Sequence, residues 1–99
     1  MFDKIKQLKE LRDRAQQMKA MLAQETVHAE AANDRVKIVM DGNQEIVSLT
    51  VEPELLTADK KEELEKALKE ATNDAIKKSQ QAMAKKIQSM GGLNMPGLF

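Results

Sequence analysis

The spacing of apolar residues changes twice along this 99-residue chain, and the change restricts the fold more than any other feature. Over residues 3–25, apolar side chains recur every three or four positions, which predicts an amphipathic helix. From residue 26 to residue 52, apolar residues recur at every second position, as they do in strands. From residue 58 they again recur every three or four positions. The sequence therefore predicts one α+β domain over residues 1–92, with two helices on either side of a sheet in chain order.

Three short stretches with alternating apolar and polar residues predict the strands, which are 26–31, 35–41 and 45–52. The pair Asp41-Gly42 lies between the last two, and it is a strong hairpin signal because it tolerates positive φ. Asn33-Asp34 is a weaker turn signal between the first two. We expect a three-stranded antiparallel meander with one apolar face.

The second predicted helix, 58–90, is too long for this sheet. It would measure about 50 Å, whereas strands of this length span roughly 20–27 Å. Its far half must overhang, and its apolar stripe needs a cover from the first helix or from a second subunit. We expect a dimer with protruding helical arms, and a flexible tail over 93–99. The candidate core or dimer residues are Val47, Leu49, Val51, Leu64, Leu68 and Ile76.

Charge is balanced in total, with 16 basic and 16 acidic residues, but it is uneven along the chain. The stretch Ala75 to Met90 contains four lysines and no acid, and helical geometry places these lysines opposite the apolar stripe. The first helix is also rich in cations. The candidate DNA-binding residues are Lys4, Lys6, Lys9, Arg12, Arg14, Lys19, Lys77, Lys78, Lys85 and Lys86.

Most surface lysines only keep a protein soluble, and a nucleic-acid site requires that they cluster on one surface. The chain has no Trp or Tyr on which bases could stack, so phosphate contacts to duplex DNA fit better than single-strand recognition. A basic amphipathic helix can also lie on a membrane. The apolar arc here consists of Met, Ile and Ala, which argues against that alternative.

Catalytic chemistry is not expected. The lone histidine, His28, has no cysteine to join it in a metal site, and the glycines do not form a phosphate-binding loop. We expect no enzyme activity, metal, cofactor or small-molecule substrate. The charged N-terminal stretch does not resemble a signal peptide, and no apolar run approaches the ~18 residues of a membrane span. The expected location is the cytoplasm.

The stretch VKIVMDGNQEIVSLTVEPELLTADKKEELEKALKEATNDAIKK resembles the YbaB/EbfC family of bacterial nucleoid-associated proteins. The Met- and Gln-rich first helix and the ending NMPGLF fit the same family. The matching positions are Gly42, Glu52-Pro53, Leu55-Leu56, Asp59-Lys60, Leu64-Glu65, Asn73-Asp74 and the flanking Ala71 and Ala75.

The resemblance implies a tweezer-shaped homodimer in the nucleoid that binds and compacts duplex DNA with loose sequence preference and can influence gene expression. The chain lacks the family's Gly- and Met-rich lead-in, and its first turn, AAND, lacks the usual glycines. Asn73-Asp74 are signature positions, for which we favour a structural role. The alternative function is a protein-interaction adaptor that uses its protruding helices to bind a partner protein.

Overall fold

A computed structural model of the protein describes residues 2–90 and confirms the predicted order of helix, antiparallel sheet and long helix. The elements are α1 Phe2–Ala23, β1 Thr26–Ala31, β2 Val36–Asp41, β3 Ile46–Val51 and α2 Lys61–Ser89. Short 3₁₀ turns at Pro53–Leu55 and Ala58–Lys60 connect β3 to α2, so the helix predicted from residue 58 becomes α-helical at Lys61. The predicted tail, 93–99, lies outside the described residues.

The sheet has the strand order β1-β2-β3, so β1 and β3 are both edge strands. Ile38 in the central strand pairs with Ala29 on one side and with Leu49 on the other. A register shift follows at Val39 and Met40, where Met40 pairs with Ile46. Val47 therefore interrupts the simple alternation that the sequence predicts for β3.

The β2–β3 hairpin confirms the Asp-Gly turn but gives its glycine a different role. The positive φ is at Gln44, at 63°. Gly42 is buried against α1: its N–H donates to the Leu22 carbonyl at 2.9 Å, and a Cβ on Gly42 would lie only 2.8 Å from that oxygen. Asp41 holds the turn from within, since its Oδ1 accepts the Asn43 N–H at 2.8 Å. Glycine is needed here for close approach of two backbones.

The β1–β2 turn contains three successive residues with positive φ. Ala32, Asn33 and Asp34 have φ of 55°, 58° and 66°. Asn and Asp tolerate this region, whereas an alanine Cβ is crowded there. Arg35 anchors the turn, because its Nε donates to the Ala32 carbonyl at 2.8 Å and its guanidinium forms a salt bridge with Glu63 of α2.

Helix α2 packs on β1 and β2 through a ridge of small residues that recur every fourth position. Small side chains let the helix axis lie close to the sheet, where Val36 and Ile38 are almost completely buried. Ser79 is also buried, and its hydroxyl donates to the Asp41 carbonyl at 2.6 Å. The ridge consists of Ala67, Ala71, Ala75 and Ser79.

Helix α1 contacts the rest of the chain mainly through its C-terminal end. Met18 and Leu22 are buried, whereas every residue from 3 to 17 is exposed. We refer to residues 3–17 as the α1 arm. The arm makes the chain elongated, with extents of 63 × 25 × 19 Å and a radius of gyration of 18.3 Å. A compact chain of this length would have a radius of gyration of about 13 Å.

Candidate nucleic-acid interface

The predicted basic residues of the first helix lie on the α1 arm or directly after it, and all are exposed. The arm contains five basic and three acidic residues, so its net charge is +2. The side chain of Lys19 is also exposed, while the Lys19 carbonyl accepts a hydrogen bond from Asn43 Nδ2 at 2.9 Å. The basic residues concerned are Lys4, Lys6, Lys9, Arg12, Arg14 and Lys19.

The four lysines near the end of α2 are not equivalent, which corrects the expectation that all of them are uncompensated. Lys78 Nζ lies 3.1 Å from Asp74 Oδ2, one helical turn earlier, and Lys86 Nζ lies 3.3 Å from Glu25 Oε1. Within residues 2–90, the salt bridges do not include Lys77 or Lys85. Two of the lysines therefore have an acidic partner in the same chain.

Lys86 also departs from the prediction that the lysines face away from the packed side of α2. It lies seven residues beyond the buried Ser79, which is close to two full turns, so both residues are on nearly the same face. Its side chain is only 33% exposed, compared with 44% for Lys78. The face of α2 that carries the ridge of small residues thus carries a basic residue, Lys86, two turns beyond Ser79.

An open cleft of about 620 Å³ lies between β1 and this part of α2. We refer to it as the β1–α2 cleft. Three lysines line it, and Glu25 is its one acidic lining residue in the part of the chain that the structure describes. Lys77 is outside the lining, and it lies 100° around the helix from Lys78 on the side away from Lys86. The lining residues are Glu25, Thr26, Val27, His28, Lys78, Gln81, Ala82, Lys85, Lys86 and Ser89.

Lys78 connects the two walls of this cleft. Its Nζ donates to the main-chain carbonyl of His28 at 2.8 Å, across the free edge of β1. A residue in an antiparallel strand directs its N–H and C=O to the same side, so the His28 N–H also lies on this edge. The free edge of β1 therefore brings main-chain polar groups into the cleft beside the lysines.

Near the other end of β1, the carboxyl group of Asp34 acts on that of Glu30. The pKa of Glu30 is raised, first by a hydrogen bond with Asp34 and then by the like charge of that residue. Lys37 and Lys78 act in the opposite direction. Glu30 is exposed, so this interaction is screened by solvent. Glu30 is an acidic residue close enough to Lys78, a cleft residue, for Lys78 to affect its pKa.

The candidate core and dimer residues fall into two groups. Leu64, Leu68, Ile76 and Val51 are partly buried and pack against the core of the single chain. Val47 and Leu49 remain 59% and 50% exposed on β3.

Ile46 on β3 and Ile5, Leu8 and Leu11 on the α1 arm are also at least half exposed. A single chain thus leaves apolar surface uncovered on both an edge strand and a projecting helix. Patches of this kind often mark protein contacts.

The signature pair Asn73-Asp74 has one clear structural contact, which is the salt bridge from Asp74 to Lys78. Asn73 is exposed. Asp74 and Glu25 were not predicted from the sequence as part of the basic region. Asp74 could have been found, because it lies four residues before Lys78, whereas the contact between Glu25 and Lys86 depends on the fold.

Groups of three or more residues able to hold a metal ion do not occur within residues 2–90. His28 lies at the cleft without a cluster of metal-binding or catalytic partners. Among the described helices, none combines the length and the apolar character needed to cross a membrane.

An elongated α+β protein with a projecting basic helix and a lysine-lined cleft has the features of a nucleic-acid-binding protein. The sequence matches the YbaB/EbfC DNA-binding family over residues 1–94. The chain belongs to this family, which is a DNA-binding family and not an enzyme family. The resemblance seen in the sequence is thereby confirmed.

Two relatives illustrate the match. A nucleoid-associated protein of Desulforamulus reducens is 44% identical over 79 residues, covering 79% of this chain and 75% of that protein. A nucleoid-associated protein of Thermoanaerobacter pseudethanolicus is 35% identical over 96 residues, covering 96% of this chain and 86% of that protein.

The fold also occurs in a solved structure. The crystal structure of an uncharacterized protein from Helicobacter pylori matches with a TM-score of 0.61 and 20% sequence identity. The match covers 89% of this chain and 96% of that protein. At this identity the likeness concerns the fold alone.

Proposed function

We propose that the protein is a nucleoid-associated protein of the cytoplasm that binds duplex DNA as a homodimer. Its basic helical arms contact phosphates, so its sequence preference is loose. Bridging of duplexes by the two arms of a dimer compacts DNA and can influence gene expression. The names of its relatives, which are nucleoid-associated proteins, support this function.

The observation that carries the proposal is the α1 arm. Fifteen consecutive exposed residues form a helix that makes little contact with its own chain. An isolated helix of about this length is only marginally stable in water, so a partner is expected to stabilise it. The net positive charge of the arm suits a phosphate backbone, and its uncovered apolar side chains suit a second protein chain.

A second chain would also cover the apolar side chains that β3 exposes. This strand has one neighbour in the sheet, and its apolar side chains are half exposed. An uncovered edge strand of this kind is an aggregation hazard unless another element covers it. Pairing with a second copy would cover the edge in a closed assembly.

The DNA contact is tested by measuring affinity against salt concentration with two unrelated duplexes. If a dimer makes six to eight phosphate contacts, the slope of log K against log[salt] is about −5 to −7. Both duplexes should bind with similar affinity. Reversing two charges on the arm, Lys6→Glu with Arg14→Glu, should weaken binding to both duplexes and flatten the slope.

The matched control reverses two exposed lysines in the N-terminal half of α2, Lys66→Glu with Lys69→Glu. It changes the net charge equally, so it should retain the wild-type slope if the arm makes the contact. Equal losses in both double variants would point to a general charge effect. A protein that shows no salt-dependent binding would instead favour the adaptor function, with a protein partner on the same helices.

Sedimentation equilibrium at micromolar concentration tests the homodimer and should give twice the 11.1 kDa chain mass. Leu49→Lys should shift the mass toward one chain, because it places a charge in the proposed interface. Thr50→Lys is the control on the same strand. A wild-type protein that sediments as a monomer would contradict the proposal.

A further inference from the structure

We propose that the β1–α2 cleft binds DNA phosphates in addition to the α1 arm, and that Glu25 and Asp74 are paired with its lysines until DNA displaces them. This inference rests on the proposed function and assigns it a site. It divides the four lysines near the end of α2 into three that contact DNA and one, Lys77, that does not. It also makes two acidic residues of the chain competitors of DNA.

The shape and the lining of the cleft suit a sugar-phosphate backbone. Its α2 wall extends from Lys78 to Ser89, which is about 16 Å along the helix axis. One strand of duplex DNA has about five phosphates in that axial length. Three ammonium groups, the Gln81 amide and the outer edge of β1 supply donors along this wall. These groups bind phosphates without reading the base sequence.

The ion pairs of the cleft lysines are weakly held. The lysines Lys78 and Lys86 are partly exposed. The side chain of Glu25, the partner of Lys86, is 40% exposed, and that of Asp74, the partner of Lys78, is 45% exposed. Exposed pairs of this kind contribute little free energy because solvent screens them. Each phosphate that replaces an internal carboxylate also releases a condensed counterion from the DNA. Exchange of Glu25 or Asp74 for a phosphate is therefore favourable at low salt.

Lys85 occupies the central position in this arrangement. It lines the cleft, it is exposed, and the salt bridges within residues 2–90 do not include it. Its charge is available before any internal pair opens, so it is the first group that a phosphate meets. Lys78 and Lys86 then exchange their carboxylates for neighbouring phosphates.

The acidic partners give the inference its sharpest test, because removing them should strengthen binding. Glu25→Gln and Asp74→Asn each release a cleft lysine, and each should raise DNA affinity about two- to fivefold. Part of any gain would come from the net charge alone, which each substitution raises from zero to +1. The control Glu62→Gln removes one exposed negative charge at the start of α2, far along the helix from the cleft, and should change affinity by less than twofold.

The lysines provide a second matched comparison on one helix. Lys85→Gln and Lys77→Gln remove the same charge from the same exposed stretch, eight residues apart. Lys85→Gln should weaken binding about three- to tenfold and reduce the salt slope by about two, because a dimer carries two copies of Lys85. Lys77→Gln should change affinity by less than twofold and leave the slope intact. Lys78 is a poorer choice, since its loss would also uncover the β1 edge.

The experiment is fluorescence anisotropy of a labelled 20-base-pair duplex with the full chain over a range of NaCl concentrations. Equal effects of the two lysine variants would overturn the cleft assignment while leaving DNA binding in place. Unchanged or weaker binding by both Glu25→Gln and Asp74→Asn would overturn the competition by internal acids. Absence of wild-type binding would refute the proposed function itself, and the cleft assignment would fail with it.

Discussion

Substitution of Gly42 by alanine should detach α1 from the sheet. The added Cβ would lie 2.8 Å from the Leu22 carbonyl oxygen and 3.1 Å from the Cβ and Cδ2 of Leu22. Non-bonded heavy atoms prefer separations of about 3.5 Å or more, so the two backbones must separate by roughly 0.7 Å. The oxygen cannot rotate away, because it belongs to the main chain and accepts the Gly42 N–H.

The size of the effect follows from these contacts. Overpacking at a tight site costs about 1–3 kcal/mol, and loss of one hydrogen bond adds about 1 kcal/mol. Since Met18 and Leu22 are the buried residues of α1 within residues 3–23, a cost of this size is large compared with the contacts that hold the helix in place. The loss of stability should therefore be largest in α1 and smaller in the rest of the chain.

Hydrogen exchange measured by mass spectrometry distinguishes local from global loss. In Gly42→Ala, amides of residues 18–23 should exchange faster by a factor of ten or more, whereas those of β2 change much less. Gln44→Ala, in the same turn, adds no atom near α1 and should leave exchange in α1 unchanged. Unaltered protection of residues 18–23 in Gly42→Ala would refute the close approach of the two backbones.

Two further predictions concern the β1–β2 turn. Ala32→Gly should raise the free energy of unfolding by up to about 1 kcal/mol, because glycine adopts the positive φ of 55° without a crowded Cβ; urea denaturation measures this, and a loss of stability would contradict the assigned backbone. Because the folded-state pKa of Glu30 is raised, its ionised form is disfavoured in the folded state and stability falls as the pH rises from the unfolded to the folded pKa. Asp34→Asn removes the main cause and retains a residue that tolerates positive φ, so it should flatten this dependence in urea titrations between about pH 4 and 6.

The sequence predicted the fold well because the relevant signals are local. Alternation over β1 and the Asp41-Gly42 pair are properties of neighbouring residues, and so are the observed strand and hairpin. The role of Gly42 was not predictable in the same way, because its neighbour Leu22 lies twenty positions earlier. The register shift opposite Met40 was also missed, since alternation alone contains no sign of an extra residue.

The candidate interface was predicted less completely, for a related reason. A count of charges located the basic stretch of α2 but treated its lysines as equivalent. The cleft distinguishes them through β1, some fifty residues away in the chain, where Lys78 meets the His28 carbonyl. The partnership of Lys86 with Glu25 likewise joins two elements that only the folded chain brings together. The spacing of residues in the sequence indicates which face of a helix a residue occupies, but not which residues of other elements that face contacts.

The elongated outline of the chain has a consequence for how densely the protein can cover a duplex. A base pair occupies about 3.4 Å of the DNA axis, so a chain lying lengthwise with its 63 Å extent along that axis would cover about 18 base pairs. A chain oriented crosswise would cover only about 7 with its 25 Å extent. The number of base pairs occupied per chain at saturation therefore reports the orientation of the molecule on DNA, and it does so without a structure of the complex.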